Sequence, residues 1–107
     1  INISSISGKR ALTLGGIAYC ASKFAMSALS TGVSNEDARH GIRVTSIYPG
    51  EVNTPILEKR PAPVSEDRKA AMLQPEDLGA MAVAIACLPP RAHVPELIIK
   101  PIVQEYV

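Results

Sequence analysis

A long proline-free stretch rich in alanine, methionine and leucine lies between two segments rich in β-branched residues, and this alternation constrains the fold most. Between residue 17 and about residue 39, apolar side chains recur every three to four positions, which predicts a helix. Gly41 follows where a helix-ending glycine is expected. Residues 1–4 and 42–48 are predicted to be strands. A helix between two such strands predicts a parallel β-α-β crossover.

The second half of the chain continues this pattern. Residues 51–73 contain three prolines among mixed charges, which predicts a mobile loop with one or two short helical turns. A proline followed by two acidic residues predicts a helix from residue 75 to about residue 88. Three consecutive apolar residues within residues 94–100 predict a third strand, buried on both faces. The expected fold class is therefore α/β with a parallel sheet.

Composition and charge exclude several classes of protein. Among 107 residues, 47% are apolar and 20% are charged, as in a packed globular chain rather than a disordered one. The net charge of +1 offers no field that would collect phosphates, so neither a nucleic acid nor a membrane is expected as a partner. The longest mostly apolar run, residues 78–88, is too short to cross a bilayer.

Neither the cysteines nor the start of the chain indicates export or a metal. Cys20 and Cys87 lie far apart and outside any metal-binding spacing, so no metal is expected and both are predicted to be buried apolar residues. No signal peptide is visible, which favours a cytoplasmic location. The chain begins without methionine inside a predicted strand, so the sequence is interpreted as a fragment of a longer protein.

Tyr19 and Lys23 form the first pair of residues whose spacing indicates a catalytic function. They are four positions apart, so a helix places their side chains on one face, about one turn from each other. An ammonium group near a phenol favours the phenolate, which makes the phenol a usable acid or base. The same pair also fits a solvated lysine beside a half-buried tyrosine, and the spacing alone does not decide between these alternatives.

Three motifs in a fixed order decide between these alternatives. N-I-S-S-I-S-G occupies residues 2–8, Y-C-A-S-K residues 19–23 and P-G-E-V-N-T residues 49–54. The chain resembles the C-terminal half of the short-chain dehydrogenase/reductases, which carry N-[IV]-S-S-x-x-G, Y-x-x-x-K and P-G-x-[VI]-x-T in this order. The resemblance implies a Rossmann-type doubly wound parallel sheet. It also implies that residues 1–107 are the C-terminal, catalytic portion of a single NAD(P)-binding domain, with the dinucleotide-binding half absent.

The resemblance assigns a catalytic group. Tyr19 resembles the family's acid/base, which exchanges a proton with the substrate oxygen. Lys23 resembles the lysine that assists this tyrosine and binds the nicotinamide ribose. Ser5 matches the serine that donates a hydrogen bond to the substrate oxygen. Its neighbour Ser4 would point to the opposite face of the strand, and the family's glycine three residues after the serine corresponds to Gly8, so Ser5 is preferred.

The same resemblance assigns a cofactor-binding group. Pro49, Gly50, Val52 and Thr54 match the turn that holds the nicotinamide amide through backbone groups and a threonine hydroxyl, and Tyr19 and Lys23 also face the cofactor. The implied activity is transfer of a hydride between NAD(P) and a small carbonyl or alcohol substrate. Members of the family commonly pair through this helix and through the last helix and strand, so the complete enzyme is expected to be a homodimer or homotetramer.

Some family features are missing. The glycine-rich phosphate turn, the upstream asparagine of the proton relay and the residue that selects NAD or NADP do not occur in this sequence. Residues 88–101 resemble a branch that acts on 3-hydroxy acids and serine-like substrates, often with NADP, so NADP is slightly preferred. Two alternatives stay open: a sugar-nucleotide epimerase of the related extended group, and a non-catalytic interaction protein that keeps the fold.

Overall fold

Three short parallel strands form the sheet that the sequence predicts. In the computed structural model, which describes residues 1–106, β1 (Asn2–Ile3), β2 (Ser46–Pro49) and β3 (Glu96–Ile99) pair in chain order. Ser46 lies opposite Asn2 on one side and opposite Glu96 on the other. The predicted α/β class with a parallel sheet is confirmed, and the architecture is Rossmann-type.

Helices connect the strands. α1 (Gly16–Asp37) links β1 to β2 and passes into a 3₁₀ turn, Ala38–His40, which Gly41 ends with a φ of 77°. Between β2 and β3 lie the short α2 (Glu66–Ala71) and α3 (Pro75–Ala86). The predicted bounds of the two long helices are therefore correct to within about two residues, and the crossover between β1 and β2 is the expected β-α-β unit.

β2 and β3 begin later than predicted, and side chains hold the segments that lead into them. Arg43 donates from one guanidinium nitrogen to the carbonyls of Leu88, Pro89 and Ala92, at 3.3, 3.0 and 2.6 Å. Thr45 donates its hydroxyl to the carbonyl of Val94 at 2.6 Å. These bonds tie the approach to β2 to the approach to β3, in place of the regular backbone ladder that begins at Ser46.

The core centres on β2, which is buried along its whole length. The expectation that β3 is buried on both faces is wrong: Ile98 is 41% exposed, because β3 is the outer strand of the described sheet and burial alternates along it. The expected burial of Cys87 is also wrong. This residue caps the end of α3, a helix whose one buried residue is Ile85, whereas Cys20 is buried as expected.

A polar cluster fastens β3 to the segment after β1. Lys9 forms an ion pair with Glu96, and the Tyr48 hydroxyl donates to the same carboxylate at 3.0 Å. The Lys9 ammonium also lies 4.8 Å from the centre of the Tyr48 ring. The hydrogen bond from Lys9 is the main reason why the pKa of Glu96 lies below its ordinary value; burial, the next largest effect, opposes this lowering, and the bond from Tyr48 and the charge of Lys9 add to it.

Two features of the described residues, the length of the helices and the distribution of metal-ligating side chains, bear on function. None of the helices within residues 1–106 combines the length and the apolar character needed to cross a membrane. In the same part of the chain, no three histidine, cysteine, aspartate or glutamate side chains come together as a group that could hold a metal ion.

Candidate active site

A cavity of about 610 Å³ opens where the carboxyl ends of β1 and β2 meet. Parallel neighbouring strands bring the segments that follow them to one edge of the sheet, and this edge is the usual ligand site in open α/β folds. The first turn of α1 contributes a third wall. Six of the seven residues predicted for the site line this cavity: Ser5, Tyr19, Pro49, Gly50, Val52 and Thr54.

The two adjacent serines after β1 have different partners. The Ser4 hydroxyl is buried and donates to the backbone carbonyl of Lys23 at 3.3 Å. The half-buried Ser5 hydroxyl accepts the N–H of Ser7 at 3.1 Å, which leaves its own hydrogen for an acceptor in the cavity. Gly8 permits this packing, since a Cβ there would lie 2.6 Å from the Ser4 oxygen.

Tyr19 presents its ring to the cavity from the first turn of α1, with 37% of the residue exposed. Gly15, the residue before the helix, lies directly against this ring. A Cβ on Gly15 would come within 2.9 Å of Tyr19 Cδ1 and 3.4 Å of the Cys20 sulfur. The absence of a side chain at Gly15 therefore determines where the tyrosine ring can lie.

Lys23 is the one predicted site residue that does not line the cavity. Its ammonium donates to the carbonyl of Ile3 at 3.2 Å and lies 5.7 Å from the centre of the Tyr19 ring. The Lys23 backbone carbonyl meanwhile accepts hydrogen bonds from Ser4 and from Ser27. Lys23 thus ties α1 to the end of β1 and keeps a positive charge beside the tyrosine.

Backbone hydrogen bonds fix the turn after β2 from two directions. The Gly50 N–H donates to the carbonyl of Ile99 on β3 at 2.7 Å. The Asn53 N–H donates to the Leu73 carbonyl at 2.8 Å, and the Leu73 N–H donates back to the carbonyl of Glu51 at 3.1 Å. The wall that Pro49 to Thr54 supply to the cavity is therefore held both by the sheet and by the segment before α3.

Positive charge predominates at one side of the cavity. Lys59 and Arg60 both line it, together with Glu51. The Glu51 carboxylate accepts from Arg60 at 3.2 Å and from Arg68 at 2.7 Å, so two guanidinium groups share one carboxylate. Of the charged side chains that line the cavity, Lys59 and Arg60 are positive and Glu51 is negative, and this excess of one positive charge favours an anionic group in the ligand.

Sequence reasoning missed several lining residues. Gln104 lines the cavity although it lies 53 positions after the turn that it contacts, and no local pattern indicates such a contact. In the sequence, Lys59 and Arg60 belong to a segment of mixed charges, and nothing there indicates that they line a cavity. Their proximity to the cavity follows from the 3₁₀ turn Pro55–Lys59, which buries Leu57 and turns the chain back over the site.

Comparison with known proteins supplies the family. A sequence model described as short chain dehydrogenase matches residues 1–64. Protein FixR of Bradyrhizobium diazoefficiens is 38% identical over 73 residues, which are 68% of this chain and 25% of that protein. An uncharacterized oxidoreductase of Staphylococcus saprophyticus is 34% identical over 102 residues, 95% of this chain and 41% of the relative.

Solved structures agree with the fold. Serine dehydrogenase from Escherichia coli superposes with a TM-score of 0.77 at 25% identity, over 98% of this chain and 40% of that one. A beta-ketoacyl-ACP reductase from Bacteroides thetaiotaomicron gives a TM-score of 0.70 at 31% identity, over 92% of this chain and 39% of that one. The chain thus spans well under half the length of these relatives. Since the family's sequence model covers more than half of the chain and the fold agrees, this chain belongs to the short chain dehydrogenase family.

Proposed function

We propose that the protein containing these residues is an NAD(P)-dependent oxidoreductase that transfers a hydride between a nicotinamide cofactor and a carbonyl or alcohol. The observation that carries this proposal is the cavity itself. It brings together Ser5, Tyr19 and the turn of residues 49–54, which belong to three separate segments of the chain. A hydroxyl donor, a phenol and a fixed backbone wall around one space suit proton exchange with a small polar substrate.

The nicotinamide end of the cofactor fits the residues present. A turn with backbone bonds on two sides gives a rigid edge for a planar amide, and the Thr54 hydroxyl makes no capping bond to the 3₁₀ turn that follows it. Pro49, Gly50, Val52 and Thr54 would hold the nicotinamide, and Lys23 its ribose. The nicotinamide, when bound, supplies or accepts the hydride.

The protein's own residues handle the proton. In the reductive direction, the Tyr19 hydroxyl gives its proton to the substrate oxygen and becomes a phenolate, and in the oxidative direction the phenolate takes the proton from the substrate hydroxyl. The Ser5 hydroxyl donates a hydrogen bond to the same oxygen as negative charge develops there. The ammonium of Lys23, 5.7 Å from the ring centre, stabilises the negative charge left on the phenol oxygen.

We propose a small hydroxy acid, or the matching keto acid, as the substrate, with NADP slightly preferred over NAD as the cofactor. The excess of positive charge from Lys59 and Arg60 over Glu51 suits a carboxylate. The similarity to serine dehydrogenases supports the same class, since one of them is described as a closed form complexed with NADP+, with a TM-score of 0.79 at 26% identity.

The complete protein is proposed to supply what these residues lack. Residues 1–107 would form the catalytic C-terminal part of one Rossmann-type domain, and a dinucleotide-binding half would complete it. The share of the relatives' length that the chain spans supports this division. Self-association into a homodimer or homotetramer is supported by α1, where Ile17 is 93% exposed and Leu29 63% exposed.

The test is removal of the phenol oxygen in the full-length protein. Tyr19→Phe is expected to lower kcat at least a thousandfold, with the Kd for NADPH or NADH within about twofold of wild type, since the ring still packs against Gly15. Tyr106→Phe is the matched control, because it makes the same chemical change outside the cavity and should leave turnover unchanged. Substantial activity in Tyr19→Phe would refute the proposed proton donor.

A further inference from the structure

Gln104 belongs to the segment after β3, but its side chain reaches the turn after β2. Its amide oxygen accepts the backbone N–H of Glu51 at 2.8 Å. The same side chain lines the cavity beside Gly50 and Glu51. A residue near the end of the described chain thus contacts the backbone of the turn that we propose binds the nicotinamide.

Gly50 permits this contact because it has no side chain. A Cβ at this position would lie 2.2 Å from the Gln104 amide oxygen and 2.9 Å from Lys100 Cβ, so a residue with a side chain would displace the glutamine. The Gly50 N–H already donates to Ile99, and the next N–H, that of Glu51, donates to Gln104. Two consecutive amides of the turn are therefore fixed, one by β3 and one by a side chain that follows β3.

The segment that carries Gln104 is itself anchored. Pro101 is buried, and its carbonyl accepts the N–H of Gln104 at 3.1 Å. Two residues further on, the Tyr106 hydroxyl accepts a hydrogen bond from Arg10 at 2.9 Å, and the guanidinium lies 4.6 Å from the Tyr106 ring centre. The glutamine is thus held between fixed points on either side.

We propose that Gln104 is a positioning residue for the nicotinamide-binding turn: its amide oxygen sets the direction of the Gly50–Glu51 peptide and so the shape of the cavity wall. This inference rests on the proposed function, because it assigns the turn to the cofactor. It predicts that the segment after β3 contributes to cofactor affinity although none of its motifs resembles a cofactor site.

The experiment uses the full-length protein and measures the Kd for NADPH and NADH by fluorescence titration, alongside the thermal unfolding midpoint. Gln104→Met keeps the length of the side chain and loses the acceptor oxygen. It is expected to weaken cofactor binding about fivefold, the effect of one lost hydrogen bond, with little change in the unfolding midpoint. Gln104→Glu keeps an acceptor oxygen and should bind within about twofold of wild type.

Tyr106→Phe is the control within the same segment, since it removes only the hydroxyl bond to Arg10, keeps the ring beside the guanidinium that anchors the segment, and leaves the bond from Glu51 to Gln104. It should leave the Kd unchanged. In the unmodified protein, the Glu51 amide hydrogen should exchange slowly, and rapid exchange would overturn the proposal without any variant. Equal cofactor affinity in Gln104→Met and wild type would also overturn it, whereas a wild-type protein that binds neither dinucleotide would refute the proposed function itself.

Discussion

Gly15 has no side chain, yet it controls the position of the Tyr19 ring, which we propose exchanges the proton. Its φ of −76° and ψ of −29° are open to any residue, so alanine there is disfavoured by contact and not by backbone conformation. The contact is with Tyr19, whose ring would be 2.9 Å from the added carbon. In the full-length protein, Gly15→Ala is expected to lower kcat about tenfold or more, because the displaced ring no longer meets the substrate oxygen.

Gly32 provides the matched control for this prediction. It lies in the same helix, has an ordinary helical φ, and an added Cβ would meet nothing within 4 Å. Gly32→Ala should leave steady-state kinetics unchanged and raise the free energy of unfolding by about 0.5 to 1 kcal/mol, as helix propensity requires. Equal kcat in both variants would show that Gly15 has no influence on the tyrosine.

At the residue scale, the sequence was informative where spacing within one segment carries the chemistry. The four-residue interval placed Tyr19 and Lys23 on one helix, and the ammonium does lie near the ring. The sequence could not indicate that this ammonium bonds to the carbonyl of Ile3, nor that Gln104 contacts the turn after β2. Both contacts depend on how distant segments pack against each other, and the periodicity of apolar residues within one segment gives no information about such packing.

The sequence predicts which segments are helices and which are strands more accurately than it predicts their lengths. The helical period of apolar residues and the absence of proline identify α1, and the left-handed backbone of Gly41 ends the 3₁₀ turn that continues this helix. The strands were overestimated, because β-branched residues favour extended backbone whether or not a neighbouring strand pairs with it. Thr45 is β-branched and therefore resembles a strand residue in the sequence, but its hydroxyl donates to the Val94 carbonyl ahead of the regular ladder.

The attachment of β3 through Glu96 should make stability depend on pH. Since the pKa of Glu96 lies below its ordinary value in the folded protein, the unfolded chain takes up the proton first as the pH falls. The ion pair with Lys9 therefore stabilises the fold fully above about pH 4.3, the ordinary glutamate value, and this contribution is lost as the pH falls through the lowered pKa. With the side chain 43% exposed, the contribution is about 0.5 kcal/mol.

Glu96→Gln tests this dependence by urea unfolding of the full-length protein at pH 7 and at pH 3. The glutamine can still accept from Tyr48 but loses the ion pair. The variant should be less stable than wild type at pH 7 and equally stable at pH 3. Glu36→Gln, on the exposed surface of α1, is the control and should change neither value. A difference between Glu96→Gln and wild type that is the same at both pH values would contradict the linkage.

At the scale of the whole molecule, the apolar surface is incompletely covered. β1 pairs with β2 on one side, and Ile1 and Ile3 are about half exposed at the outer edge of the described sheet. An unpaired edge with apolar side chains invites pairing with another chain. Together with the exposed face of α1, this edge supports the proposal that these residues require further protein around them.

The final prediction concerns residues 1–107 by themselves. Titrated with NADPH or NADH and followed by fluorescence, this piece should show no tight saturable binding, whereas the full-length protein should bind. Dinucleotides are held largely through the pyrophosphate, which lies against backbone N–H groups at a helix N-terminus after a glycine-rich turn. This sequence has no such turn; Gly15 precedes α1 and Gly16 begins it, but Gly15 is packed against Tyr19. Saturation at micromolar cofactor by residues 1–107 alone would show that the cofactor is held by a part of this chain other than the turn after β2.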